Sequence, residues 1–195
     1  MMTQFRSSLV QNLVLKSVLI VALLAVFMNS VGCSTAPSKQ NRESFLDASD
    51  SAYDWFDHRI EGLDTQIGSS AGYIIFPKVG QYGIIFGGGQ FGRGALNHPN
   101  GEQIGWAALN TGSIGLQAGI QGYKMLIVIE DQATLDKFMQ NQLDGSVSAV
   151  AVAGKKGGST RAPFENGLAV YQGANSGVMV GVNFGLDYIR YKPMD

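Results

Sequence analysis

A chain of 195 residues, 45% apolar and 15% charged, has the length and composition of a globular domain and not of a disordered tail. Its 14 Lys and Arg stand against 15 Asp and Glu, so the basic excess through which counterion release drives nucleic-acid binding is missing, and nucleic acid is excluded as a partner. Two counts ask for a cause: 26 glycines, about twice the ordinary share, and a single cysteine.

The cysteine is explained by what precedes it. Arg6 and Lys16 come before an unbroken apolar run from Val18 to Met28, and Asn29-Ser30-Val31-Gly32-Cys33 follows. This is the order of a secretory signal: basic n-region, apolar h-region, small residues at the cut. The run is short of the ~20 residues that a spanning helix needs. Its end resembles a bacterial lipobox, with Ser30 where Leu is usual. That resemblance implies that residues 1–32 are a signal peptide, Cys33 is the lipid-attachment residue and residues 33–41 are a lipidated tether. Several acyl chains on one cysteine make attachment close to permanent, where one chain would be marginal. Ser34 after the cysteine resembles the sorting pattern for the periplasmic face of a Gram-negative outer membrane.

From Arg42 to Ile67 the apolar period is helical. Phe45, Ala48, Ala52, Trp55, Phe56, Ile60, Leu63 and Ile67 fall on one side, while Glu43, Asp47, Asp50, Asp54, Asp57, Glu61 and Asp64 fall on the other. This predicts one amphipathic helix, or two short ones, with an acidic outer stripe. After Ser70 the period becomes two. Strands are expected at Gly72–Phe76, Tyr82–Gly88, Ile104–Leu109, Ser113–Tyr123, Lys124–Glu130, Ser146–Ala153, Leu168–Gln172 and Val178–Tyr191, with a hairpin turn at Asn100-Gly101. One helix is expected between strands, with Asp131 as N-cap, Leu135, Phe138 and Met139 as its apolar face, and Gly145 beyond its end. The expected fold class is α+β: a Gly-rich, mainly antiparallel sheet or barrel-like core with an N-terminal amphipathic helix. Most glycines lie inside the strands, where they strip a face bare for close packing.

Catalytic and cofactor patterns are missing. GGGQFG at Gly87–Gly92 has the letters of a dinucleotide fingerprint, but RGALNHPNG follows it and reads as a turn, where the pyrophosphate would need a helix N-terminus. His58 and His98 stand alone in their segments, and no metal set accompanies the acidic stripe. The chain therefore reads as a non-enzyme without cofactor or metal. The loop Gly154–Pro163 concentrates Lys155, Lys156 and Arg161 among glycines, which suits either a solvated hairpin or a clamp on a lipid head group.

Taken together, AGYIIFPKVGQYGIIFGGGQFGRGAL, Trp106, GLQAGIQGYKMLIVI, Leu135-Asp136-Lys137-Phe138 and YQGANSGVMVGVNFGLDYI resemble the SYLF lipid-binding domain family, over roughly Ser44 to Tyr191. The resemblance implies a lipid- or phosphoinositide-binding module with a Gly-rich β core, occupying residues 42–195, and actin binding in eukaryotic relatives. In those relatives lipid binding is attributed to a basic amphipathic N-terminal segment. Here the matching helix is acidic, which leaves Trp55, Phe56, Lys155, Lys156 and Arg161 as the expected membrane contacts. A membrane-anchored envelope lipoprotein with a lipid-binding domain is the first reading. A structural lipoprotein that engages another envelope protein through the acidic helix or a strand edge is the second.

Overall fold

The computed structural model describes residues 36–84, 87–113, 119–143, 145–152, 161–173, 183–185 and 189–194. The signal segment with Cys33, and Lys155 and Lys156 of the basic loop, lie outside the described residues. After a short 3-10 turn at Lys39–Asn41, helix α1 spans Arg42–Asp57 and α2 spans Leu63–Gly68. The helical period thus continues across a break. Between the two helices the chain turns through Gly62, whose φ of 71° is the left-handed conformation that glycine adopts without strain. Ser49, Ala52 and Phe56 are the buried face of α1; Ala48, expected on the apolar side, is exposed, and Glu43, Asp47, Asp50, Asp54 and Asp57 are exposed as the acidic stripe requires.

The strands are β1 (Gly72–Ile84), β2 (Gly87–Asn97), β3 (Gln103–Ser113), β4 (Gly119–Ile129), β5 (Ser146–Val152), β6 (Leu168–Gly173), β7 (Asn183–Gly185) and β8 (Ile189–Pro193). Helix α3, Gln132–Met139, follows β4, and the Asp131 carboxylate accepts the Thr134 amide at 2.8 Å, the capping bond expected from its position. That amide holds the Asp131 pKa below the ordinary carboxylate value. The spatial order is β7-β5-β6-β4-β1-β2-β3-β8. Every described ladder is antiparallel except β5 with β6.

Several boundaries differ from the periodicity. The first expected strand and the start of the second, Tyr82–Ile84, are one, because a register shift at Pro77–Lys78 absorbs the broken alternation and β1 runs on, while Gly87 and Gly88 of the second open β2. Of the strand expected at Ser113–Tyr123, Ser113 ends β3, residues 114–118 lie outside the described residues, and Gly119–Tyr123 continues into the next expected strand as β4. Arg93 to Leu96, read as part of a turn, is the second half of β2, and the turn is confined to His98–Gly101 with Gly101 at φ 89°. The segment after GGGQFG is therefore strand. Of the long alternating run ending at Tyr191, residues 178–182 and 186–188 lie outside the described residues; its described parts are β7, which pairs with β5, and β8, which pairs with β3, at the two ends of the strand order.

That division shapes the sheet. Only residues 186–188 separate Gly185 from Ile189, so the two edges lie within about 15 Å of each other, four Cα steps of 3.8 Å. The sheet is curled, yet none of the described ladders joins β7 to β8, and the barrel-like alternative is corrected to an open sheet. One apolar cluster joins Ile74, Leu96, Leu109, Ile127, Val170 and Ile189 with Leu135 and Phe138 of α3; it draws on strands near both edges, as a concave face does. The other joins Tyr73, Ile75, Ala95, Leu126, Val128 and Tyr171 with Phe56, Leu63 and Ile67 of α1 and α2, on the convex face.

Candidate membrane-facing site

Beyond the end of α1 the convex face changes character. Leu126 and Val128 lie beneath the helices, and two residues back along the same face of β4 stands Lys124. Ala95 is likewise under the helices, and the same alternation along β2 brings Arg93 and then Phe91 to this face. Lys78 is the register partner of Arg93, and Lys124 is that of Gly173. Three cations from three strands thus form a stripe across the sheet. Lys78 and Arg93 are exposed, and Phe91, 54% exposed, stands two residues from Arg93 on the same face.

The turn after α1 adds a fourth cation. The Arg59 guanidinium lies 4.2 Å from the centre of the Trp55 ring, and Lys124 Nζ lies 5.5 Å from the same centre. Both distances are within cation–π range. Burial, and next the Arg59 charge, hold the Lys124 pKa below the ordinary lysine value. An anion brought to this pair would relieve that repulsion. The net formal charge of −1 does not forbid such a contact, because at physiological salt a field fades within about 8 Å and the acidic stripe of α1 points outward.

Glycine makes the site possible. The Phe91 ring rests on Gly80, where an added Cβ would stand 2.5 Å from it, and the Lys78 stem passes over Gly122. Trp55 rests on Gly173, where a Cβ would stand 2.3 Å from the indole. Gly173→Ala should therefore unseat Trp55, destabilising the fold by about 1–3 kcal/mol as overpacking does, and shift the indole fluorescence; an unchanged spectrum and melting temperature would refute this packing.

The expected contact residues divide. Trp55 is half-buried at the surface, with its ring between helix and sheet. Phe56, 0% exposed, belongs to the core and presents nothing to a membrane. Arg161 is exposed beside Gly62. The chain next to it is tied down: the Ala162 amide donates to Tyr171 Oη at 2.9 Å, the Tyr171 hydroxyl donates to Gln66 Oε1, and Gln66 Nε2 donates to the Ala162 carbonyl at 3.1 Å. β5 ends at Val152, the register partner of Gly173, which seats Trp55.

Arg59, Lys78, Arg93, Lys124 and Phe91 escaped the sequence reading because no two of these cations are neighbours in the chain. The signal that could have found them is strand alternation carried through RGAL. Neither histidine joins the site: His58 Nδ1 is 2.7 Å from the Asp54 carbonyl on the surface, and His98 begins the β2–β3 turn. Among the described residues no group of three His, Cys, Asp or Glu could hold a metal ion, and no helix is long and apolar enough to cross a membrane.

Comparison with known proteins places residues 110–191 in a match to the family described as Ysc84: Las17-binding protein actin regulator, which bears out over those residues the resemblance to the SYLF family. A stretch of 71 residues is 34% identical to Beta cell expansion factor A of Aeromonas veronii, covering 35% of this chain and 27% of that protein. The matched stretch is thus about a quarter of that relative's length.

Proposed function

From the family match over residues 110–191 we propose that this chain is a non-catalytic lipid-binding envelope lipoprotein, held at the membrane by acylated Cys33 on the periplasmic face of an outer membrane. The observation that carries the reading is the convex stripe, in which Arg59, Lys78, Arg93 and Lys124 surround two surface aromatics, Trp55 and Phe91. Cations near an anionic bilayer surface contribute about 1 kcal/mol each, and a half-buried indole such as Trp55 suits the head-group region. Lys155, Lys156 and Arg161 are, by sequence, the further cations this reading assigns to lipid contact. Actin regulation is said of the family and is not proposed for this chain.

Two experiments test the two halves separately. Vesicle flotation of the domain tests lipid binding. For the anchor, a Cys33→Ala variant should move from the membrane fraction to the soluble periplasmic fraction, and mass spectrometry should find acyl chains on Cys33 of the native protein. A variant retained in the membrane, or an unmodified N-terminus at Met1, would sink the lipoprotein reading. The exposed acidic stripe Glu43, Asp47, Asp50, Asp54 and Asp57 favours a second reading, in which a basic envelope protein docks on α1. Crosslinking from membranes that returns only the chain itself would count against it.

A further inference from the structure

Two bands of opposite charge lie next to each other on the convex face. Trp106, Ala95, Ile75, Leu126 and Tyr171 are register partners on β3, β2, β1, β4 and β6, and α1 lies across this row. Phe45 meets Trp106 with ring centres 5.7 Å apart, and ten residues later Trp55 rests on Gly173, two beyond Tyr171. The outer side of the helix presents Glu43, Asp47, Asp50, Asp54 and Asp57, all exposed. One step further along the strands, about 7 Å away, Arg93 follows Ala95, its partner Lys78 stands on β1, and Lys124 follows Leu126. A helix is about 10 Å across, so α1 is a ridge above the sheet and the cations lie in the step at its foot.

An acidic ridge beside a basic step makes a self-complementary surface. A two-fold axis lying between two such faces sets the ridge of each copy into the step of the other, because the rotation that aligns one contact aligns its equivalent as well. The carboxylates of each α1 then meet Lys78, Arg93 and Lys124 of the opposite copy, and Phe91, 54% exposed, is covered. Set ridge to ridge instead, the two faces would oppose carboxylate to carboxylate, so charge selects the first arrangement. Both contacts are used, and the assembly closes at two.

We infer that the cation row is a docking site for α1 of a second copy of this chain, giving a symmetric face-to-face dimer. Exposed ion pairs are individually weak and are screened by salt, so the dimer forms at low ionic strength and comes apart as salt rises. The pairing covers the row that the lipid reading assigns to a membrane, so the dimer and the vesicle-bound monomer exclude each other. The pairing itself needs no lipid, and it stands or falls without the lipid reading.

Carbodiimide crosslinking of the full chain in nonionic detergent tests it, since this reagent joins a carboxylate to a lysine only where the two touch. A band of twice the monomer mass should form at 0.01 M ionic strength, where charges act over about 30 Å, and weaken about tenfold at 1 M, where they act over about 3 Å. Peptides from that band should link Lys78 or Lys124 to a carboxylate of α1. Lys78→Glu with Arg93→Glu, and separately Asp50→Lys with Asp54→Lys, should each lose the band. An equal mixture of these two variants should regain it, because every ridge again meets a step of opposite sign. All four side chains are exposed, so the fold should be kept. Should either variant not fold, Lys78→Gln with Arg93→Gln or Asp50→Asn with Asp54→Asn takes its place and should lose the band. A band that is absent at low salt, persists in the variants or does not return in the mixture would overturn the pairing, while vesicle binding by the row would stand.

Discussion

Phe56→Ala should lower the stability of the domain by about 3–5 kcal/mol, the range for a large aromatic removed from a core that closes only partly around the gap. At roughly 2–4 °C per kcal/mol for a chain of this size, the melting temperature should fall by roughly 6–20 °C. The reason is position: Phe56 is 0% exposed, joins Ala52, Leu63 and Ile67 to the convex face of the sheet, and meets the edge of Trp55 at a centroid distance of 5.1 Å. The folded fraction should still bind vesicles. Trp55→Ala should show the reverse pattern, with a smaller loss of stability and a clear loss of binding. Thermal denaturation by circular dichroism, paired with flotation below the transition, separates the two roles, and a Phe56→Ala variant as stable as the parent would refute the core assignment.

Neutralising the stripe should have the largest effect on binding. With Lys78→Ala and Arg93→Ala together, two cations at about 1 kcal/mol each are lost from an anionic surface, so affinity for vesicles rich in phosphatidylglycerol should fall roughly thirtyfold. Both side chains are exposed on the strands, so the melting temperature should stay within about 2 °C of the parent. The difference between parent and variant should shrink at 1 M salt, where the screening length is about 3 Å. A variant that binds as well as the parent at low salt would remove the stripe from the account.

The elements were legible wherever one local pattern decided them. The α1 stripes, the Asp131 cap, the Asn100-Gly101 turn and β6 each depend on residues close in the chain, and each forms as expected. The misread places are those where a distant partner decides. Alternation breaks at Pro77–Lys78, and only the ladders with β2 and β4 show that β1 continues through it. The run through Asn183 to Tyr191 alternates as a single strand would, but its two ends find different partners, β5 and β3.

The site was less legible than the fold, for the same reason. Trp55 and Phe56 are adjacent and alike in composition, and only the helix rotation sends Phe56 into the core and leaves Trp55 at the surface. Lys78, Arg93 and Lys124 are far apart in sequence and become a stripe through register alone. Among the described residues, Gly80, Gly122 and Gly173 lie in strand faces stripped for packing, as the sequence placed them. What the contacts add is the occupant of each bare position: Phe91 on Gly80, Lys78 on Gly122 and Trp55 on Gly173.

Flotation of the Ser34–Asp195 domain with vesicles tests the central claim most directly, because without Cys33 any binding must come from the domain itself. The domain should rise with vesicles containing phosphatidylglycerol and rise far less with purely zwitterionic vesicles of phosphatidylcholine, the difference vanishing in the Lys78→Ala, Arg93→Ala variant. A folded domain that stays at the bottom of the gradient with both compositions would contradict the account.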